Sequence, residues 1–368
     1  MIIDKDKLDW IQLDITARCQ AMCLECARNI DGEKINPDIG KANTWDMPIE
    51  IFKKAVTPSM LKNSLSKVIF NGNFGDPAIH PDFINICKYV VENAHDKLKL
   101  RISSNGAMFD NDYWATVGKV LAPLKNHSIV FALDGLEDTH HIYRRNTKWQ
   151  DVIDHAKAFI ANGGRAEWQF IIFDHNKHQT NRARELSKKY GFFNIFFKGG
   201  SSDDDAGGAR NFTKAVDGVS KAKGSETKKS KKVEVDVNKR EGYQSAKKIV
   251  EEVRYRKPTN YLDTAKISCQ WYDTHGMYIE YDGTVWMCCW TGDMHKTYSP
   301  KPRKEWEHIE KKFGKYFHSL HHHSFDDILK HEYFVEYLDK TFKSTMSDPE
   351  TPRSHICART CIWGKLFI

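Results

Sequence analysis

Cys19, Cys23 and Cys26 stand in a Cys-x3-Cys-x2-Cys spacing, three thiols on one short stretch of chain. Three thiolates so placed suit three irons of a cubane cluster. Such clusters ordinarily take four cysteines, so this set leaves the fourth iron without a protein ligand. An open iron can bind and reduce a further ligand. The competing reading is a zinc knuckle. A structural zinc site recruits a fourth Cys or His at short spacing, and the nearest later histidine here is His80. A second set of cysteines comes late: Cys269, Cys288, Cys289, Cys357 and Cys361. Cys87 stands alone on an apolar helical face and reads as a small core residue. His318, His321, His322 and His323 lack ordered ligand spacing and are not read as a metal site.

The elements that must hold the first set follow from hydrophobic patterning. Trp10 to Ile15 reads as a strand that ends at the cysteine loop. Further strands are expected at Lys67–Phe70, Leu98–Ile102, Ile129–Leu133, Trp168–Phe173 and Phe192–Phe197. Helical spacing falls at Pro81–Ala94, Trp149–Asn162 and Asn181–Tyr190. Strands alternating with helices imply parallel βαβ units. Six units make a partial (β/α)6 barrel of TIM type rather than a closed barrel of eight. Each strand ends in polar or glycine-rich residues, where parallel α/β folds gather their ligands.

Composition shifts after the sixth strand. From Lys214 to Arg240 there are nine Lys or Arg against four acidic residues. Residues 201–242 read as a flexible Lys/Ser/Gly-rich insert or linker. Helical spacing resumes over Tyr243–Tyr255 and again over Phe325–Phe342. Between them, Met277–Glu280 and Thr284–Met287 flank an Asp282-Gly283 turn, a hairpin signal. Trp271, Trp286 and Trp290 are expected to pack this smaller α+β unit. The expected division is a barrel at 1–200, the insert at 201–242, and a small domain at 243–368.

The chain has 368 residues, 40% of them hydrophobic, with a formal net charge of +7. That is enough apolar material for folded domains. No apolar run approaches the roughly 20 residues that span a bilayer, and Met1–Leu8 lacks the apolar core of a secretory signal. A soluble cytoplasmic protein with no membrane partner is expected. Clustered cysteines without an export signal point to metal or redox chemistry rather than disulfides. The modest positive excess makes a weak case for nucleic acid.

The sequence resembles the radical S-adenosylmethionine (SAM) superfamily, whose signature is the Cys19, Cys23, Cys26 spacing after the first barrel strand. Gly72-Asn73-Phe74-Gly75-Asp76-Pro77 is similar to the family's Gly-Gly-Glu-Pro element, with Gly75-Asp76-Pro77 in place of Gly-Glu-Pro. Ser104-Asn105-Gly106 resembles its Thr-Asn-Gly turn. Leu133-Asp134-Gly135, then His140, Tyr143 and Arg144, resembles the Leu-Asp-Gly stretch of peptide-modifying members. The resemblance covers residues 8–200 and implies SAM contacts at Glu25, Gly75, Asp76, Asn105, Asp134 and Arg144. Glu25 stands where an aromatic is usual, so its backbone is the part that would meet adenine. Arg144 would meet the SAM carboxylate, a task suited to a guanidinium fork.

The late cysteines, with the Asp-Gly hairpin, resemble the shortened "twitch" form of the SPASM auxiliary-cluster domain. The resemblance implies a second [4Fe–4S] cluster on Cys269, Cys288, Cys357 and Cys361. Cys289 remains an alternative to Cys288, and four cysteines equally permit zinc. The activity implied is reductive cleavage of SAM to a 5′-deoxyadenosyl radical, fed by a donor such as flavodoxin or ferredoxin. A substrate hydrogen is then abstracted. A peptide or protein side chain is the implied substrate. A small molecule such as an amino sugar or cyclitol is the alternative, and a non-catalytic metal-binding module contacting nucleic acid is a third reading. The residue that handles the substrate is not assigned from sequence.

Overall fold

The computed structural model describes residues 5–24, 26–30, 32–40, 45–199, 261–264, 266–292, 294 and 300–361. The insert expected at 201–242 and the helix expected at Tyr243–Tyr255 lie outside them. Among the described residues ten strands run in chain order: β1 (Trp10–Leu13), β2 (Asn29–Ile30), β3 (Lys34–Ile35), β4 (Lys67–Phe70), β5 (Lys99–Ser104), β6 (His127–Ala132), β7 (Ala166–Ile171), β8 (Asn194–Lys198), β9 (Gly276–Ile279) and β10 (Val285–Trp286). All six expected barrel strands are present, as β1, β4, β5, β6, β7 and β8. They pair in parallel in that order. The architecture is the α/β partial barrel the sequence predicts.

Alternation builds the strands. Ile11 and Leu13, Leu100 and Ile102, and Trp168 and Phe170 are buried in one continuous core. Their neighbours Gln12, Arg101, Ser103 and Gln169 face the other way, as the two-residue period of a strand requires. The covering helices are amphipathic and well started. Thr57 caps the helix Pro58–Asn63, with proline at its first position, and Asp110 caps Asn111–Leu121. Two helices, Asn111–Leu121 and Trp149–Ala161, approach closely at Gly118, where a Cβ would lie 2.5 Å from the Phe159 carbonyl oxygen.

The hairpin of the C-terminal region joins this sheet. β9 pairs with β1 in parallel, Trp10 opposite Gly276 and Leu13 opposite Ile279, and β10 pairs with β9 antiparallel. The whole sheet runs β10-β9-β1-β4-β5-β6-β7-β8. Gly283 closes the hairpin with φ +77°, a value that favours glycine. A buried network secures the seam: the Tyr278 hydroxyl donates to Asp14 at 3.0 Å and lies 3.4 Å from Asn73 Nδ2. Trp10 packs on Trp271 with ring centroids 4.2 Å apart.

Two local expectations change. The run Phe325–Phe342 is not one helix. Helix Phe325–Lys330 ends at His331, and a π-helical turn over Tyr333–Tyr337 leads into Leu338–Lys343. Tyr333, Phe334 and Tyr337 of that turn are buried. Trp271 and Trp286 pack the C-terminal region as expected, but Trp290 is 42% exposed. His318 is buried between Trp286 and Phe317, and Cys87 belongs to the core. Among the described residues no helix is long and apolar enough to cross a membrane.

Candidate active site at the barrel mouth

The loop after β1 carries the first three cysteines, and neighbouring segments fix it on several sides. Ala17 N–H donates to Trp45 O at 2.7 Å, and Met22 N–H to Arg145 O at 3.1 Å. Arg28 Nε reaches back to Ala17 O at 3.0 Å. The turn after β4 presses directly on it: Asp76 N–H donates to Arg18 O at 2.7 Å. A Cβ on Gly75 would lie 2.1 Å from the Thr16 carbonyl oxygen, so only glycine lets the two backbones meet.

A cavity of about 200 Å³ opens there, at the C-terminal ends of the strands. Cys19, Cys23 and Cys26 line it together with Gly75, Asp76, Asn105 and Arg144. Four segments far apart in sequence thus converge on one space. Asp76 is fully buried and its carboxylate is occupied. One oxygen accepts from Asn105 N–H at 2.7 Å and Ser104 Oγ at 3.1 Å, the other from Ala78 N–H at 3.1 Å. It therefore ties the turn after β4 to the turn after β5. Asp134 lies behind the cavity rather than on its lining. It is 0% exposed, accepts from Ile171 N–H at 2.6 Å, and pairs with Arg144 Nε at 2.6 Å. Its place is to hold Arg144. Glu25 lies outside the described residues.

The electrostatics follow from burial. Burial, then Asp76 and Cys23, pushes the Cys19 thiol up to about 12. Burial also raises Cys23, while Arg144 opposes it. Crowded thiols of this kind become thiolates when positive metal is supplied, because a coordinating thiol is deprotonated outright. Burial works against the Arg144 charge, yet Asp134 and Cys23 hold its pKa well above the ordinary arginine value. Burial, together with Arg144, pushes His140 down to about 3, and its ring contacts Thr147 Oγ1 at 2.9 Å.

Two lining residues, Gln169 on β7 and Lys198 at the end of β8, escaped the sequence reading. Burial and then Arg101 pull the Lys198 ammonium below its ordinary value. The available signal was a polar residue at alternate positions of an otherwise apolar strand, and a lysine just before Gly199-Gly200.

The late cysteines also gather. Cys269, Cys288 and Cys357 are buried and Cys361 half-buried. A hydrogen bond with Cys361, then burial, raises Cys269 far above the ordinary thiol value. Burial, then Cys269, pushes Cys288 up to about 12. Cys361 also touches Cys357. Cys288 thus shares its surroundings with the other three. Cys289 begins the short helix Cys289–Gly292 and is half-buried against the core. Ser268 N–H donates to Cys361 O at 3.0 Å, joining the two ends of the set.

Among the described residues no group of three His, Cys, Asp or Glu side chains is gathered to hold a single metal ion. A cubane asks for something wider, since each thiolate binds its own iron instead of crowding one zinc at about 2.3 Å. Three thiols around one cavity, with a fixed arginine beside them, fit a cluster with an open corner.

Residues 269–361 match the SPASM family, an iron–sulfur cluster-binding domain. The match begins at Cys269 and ends at Cys361, the outermost members of the late set. No curated protein matches the sequence. In fold, the chain is similar to SuiB of Streptococcus suis, at 12% identity over 95% of this chain and 77% of that one, TM-score 0.51. It is similar to the same protein bound to S-adenosylmethionine, at 11% identity over 95% and 77%, TM-score 0.50. With SuiB bound to its precursor peptide SuiA the values are 10% identity over 95% and 76%, TM-score 0.50.

Proposed function

We propose that this chain, a radical SAM barrel joined to a SPASM iron–sulfur domain, cleaves S-adenosylmethionine reductively and uses the radical to modify a peptide or protein side chain. The observation that carries this reading is the convergence of Cys19, Cys23 and Cys26 with Gly75, Asp76, Asn105 and Arg144 on one cavity. A [4Fe–4S] cluster on the three thiolates would supply one electron to SAM at its open iron, yielding a 5′-deoxyadenosyl radical and methionine.

The chain's own residues bind and orient. The backbone of the Gly75-Asp76 turn, braced by Asn105 and Ser104, offers polar groups to the amino-acid end of SAM. Arg144, its Nε held by Asp134 and its Nη1 within reach of Cys23 Sγ, has further Nη N–H groups to offer a carboxylate. Gln169 and Lys198 face the same space from the far strands and are placed for the substrate side. The buried walls limit water around the reactive carbon.

The barrel over 1–200 would carry the SAM site, and 243–368 the auxiliary domain, with 201–242 between them. A second [4Fe–4S] cluster would sit on Cys269, Cys288, Cys357 and Cys361. Cys288 is chosen over Cys289 because its thiol is buried beside Cys269 and Cys361. These cysteines lie toward the N-terminal end of β1, the catalytic set beyond its C-terminal end. The strand itself spans about 10 Å, at roughly 3.3 Å per residue. Held by four thiolates, a cluster there would leave no iron open to SAM and would serve as electron acceptor or brace. A cytoplasmic setting with a flavodoxin or ferredoxin donor completes the scheme.

Support for a peptide substrate comes from the fold shared with SuiB, which has been crystallised with its precursor peptide SuiA. The test is anaerobic reconstitution with dithionite, SAM and candidate peptides, followed by mass spectrometry. 5′-Deoxyadenosine together with a mass change on a peptide is the expected result. 5′-Deoxyadenosine formed at a rate that responds only to amino sugars or cyclitols would move the substrate to small molecules. No 5′-deoxyadenosine at all would refute the radical reading.

A further inference from the structure

On the reading that Cys19, Cys23 and Cys26 hold an iron–sulfur cluster, we propose that Asn105 and Arg144 each donate a fixed N–H hydrogen bond to a cluster thiolate, on Cys19 and Cys23 respectively, and so raise its reduction potential. Asn105 Nδ2 lies 3.5 Å from Cys19 Sγ. Arg144 Nη1 lies 3.8 Å from Cys23 Sγ. Both distances are in the range of N–H donors to sulfur, whose large radius lengthens the bond.

The orientation of each donor is set from behind. An asparagine amide can be turned end for end, and only its partners decide which atom faces a neighbour. Here the Asn105 Oδ1 accepts from Ala107 N–H at 3.0 Å and from Gln20 Nε2 at 2.8 Å. Two donors on the oxygen leave Nδ2 as the end that meets Cys19. The same Nδ2 also reaches Gln20 Oε1 at 3.3 Å, so Gln20 clasps the amide at both ends. Asn105 follows Ser104 on the turn that Asp76 anchors.

Arg144 is fixed by a different device. Its Nε is bound to Asp134, which is itself buried and bound to Ile171 N–H. The fork is rigid and planar, so fixing Nε fixes the direction of Nη1. Its ring-side neighbour is Tyr143, with the guanidinium 5.4 Å from the ring centroid. No comparable side-chain donor is directed at Cys26 among the described residues.

The consequence is electronic. Reduction adds negative charge to the cluster and its thiolates. Hydrogen bonds to the sulfurs stabilise that charge, and they do so more strongly in a buried site. Arg144 adds its positive charge, partly offset by Asp134. Both residues would therefore make the cluster easier to reduce before SAM binds. They act here through the thiolates and are positioning residues in that role.

The test is a redox titration followed by electron paramagnetic resonance, on the full chain reconstituted without SAM. Asn105→Ala removes one donor. Arg144→Lys keeps a charge for Asp134 but loses the fork. Each is expected to make reduction of the first cluster about tenfold less favourable, which is 59 mV for a one-electron couple. The second cluster gives an internal reference that should not move. If Asn105→Ala fails to load iron, Asn105→Leu keeps much of the side-chain shape, removes the donor without adding charge, and should also lower the potential. Loaded variants with the wild-type potential would overturn the inference and leave the cluster assignment intact. A wild-type protein that takes up no cluster on Cys19, Cys23 and Cys26 would instead refute the reading beneath it.

Discussion

Asp134→Ala tests the machinery behind the site without touching its lining. Asp134 is 0% exposed and Arg144 only 15% exposed at its side chain. The carboxylate spends one oxygen on Arg144 Nε at 2.6 Å and the other on Ile171 N–H at 2.6 Å. Removing it strands a buried guanidinium and a buried amide together. Breaking a buried ion pair by deleting one partner costs about 3–5 kcal/mol, against a total stability of about 5–15 kcal/mol for a typical domain. The variant should therefore fold only marginally. The informative comparison is Asp134→Ala/Arg144→Met, in which no charge is left unpaired. It should be at least as stable as Asp134→Ala alone, a non-additivity diagnostic of the pair. Urea titration of the metal-free protein gives the measurement, because cluster loss would break two-state behaviour. A cost below about 1 kcal/mol for Asp134→Ala, or strictly additive single changes, would show that the pair does not hold Arg144.

Three further outcomes follow from particular contacts. Gly75→Ala drives a Cβ to within 2.1 Å of the Thr16 carbonyl oxygen, so the two loops must part; a loss of about 1–3 kcal/mol and of iron at the first site should appear in denaturation and metal analysis. His318 is buried with both ring nitrogens unpartnered, and burial pushes it down to about 3. Its folded pKa lies below its unfolded one, so the unfolded chain protonates first. Stability present above about pH 6.5 is then lost as pH falls toward 3, by about 1.4 kcal/mol per pH unit. His318→Phe should flatten that acid limb by one proton in urea titrations between pH 6 and 4. Cys357→Ala removes one late thiol; uncoupled SAM cleavage should persist while substrate product falls far more, and equal loss of both would assign the late cysteines to the first radical step.

Much of this arrangement was legible in the sequence because it is local. The short apolar run Lys67–Phe70, the alternation in Trp168–Phe170, and the glycine and asparagine turns at strand ends are short-range signals that place a ligand site at the barrel mouth. Strand ends moved by a few residues, as with β8 at Asn194–Lys198 in place of Phe192–Phe197. What sequence did not reveal depends on distant partners. Nothing in Gly276–Ile279 announces a parallel pairing with Trp10–Leu13, more than 260 residues away. The resemblance that made Asp134 a SAM contact could not show that both its oxygens are taken from behind. The break at His331 was hidden because Ile328, Leu329, Tyr333, Phe334, Tyr337 and Leu338 keep apolar residues at helical spacing straight through it. Lys198 was hidden because its meaning lies in the cavity, not in its neighbours along the chain.

Everything proposed for this site depends on Cys19, Cys23 and Cys26 holding the cluster that cleaves SAM. The direct measurement compares anaerobically reconstituted wild type with the Cys19→Ala/Cys23→Ala/Cys26→Ala variant, scoring iron, zinc and 5′-deoxyadenosine on the same samples. About eight irons per chain are expected in the wild type and about four in the variant, as for two cubane clusters and one. Neither sample should hold zinc, and 5′-deoxyadenosine should come from the wild type alone. A triple variant that still produces 5′-deoxyadenosine would contradict that assignment.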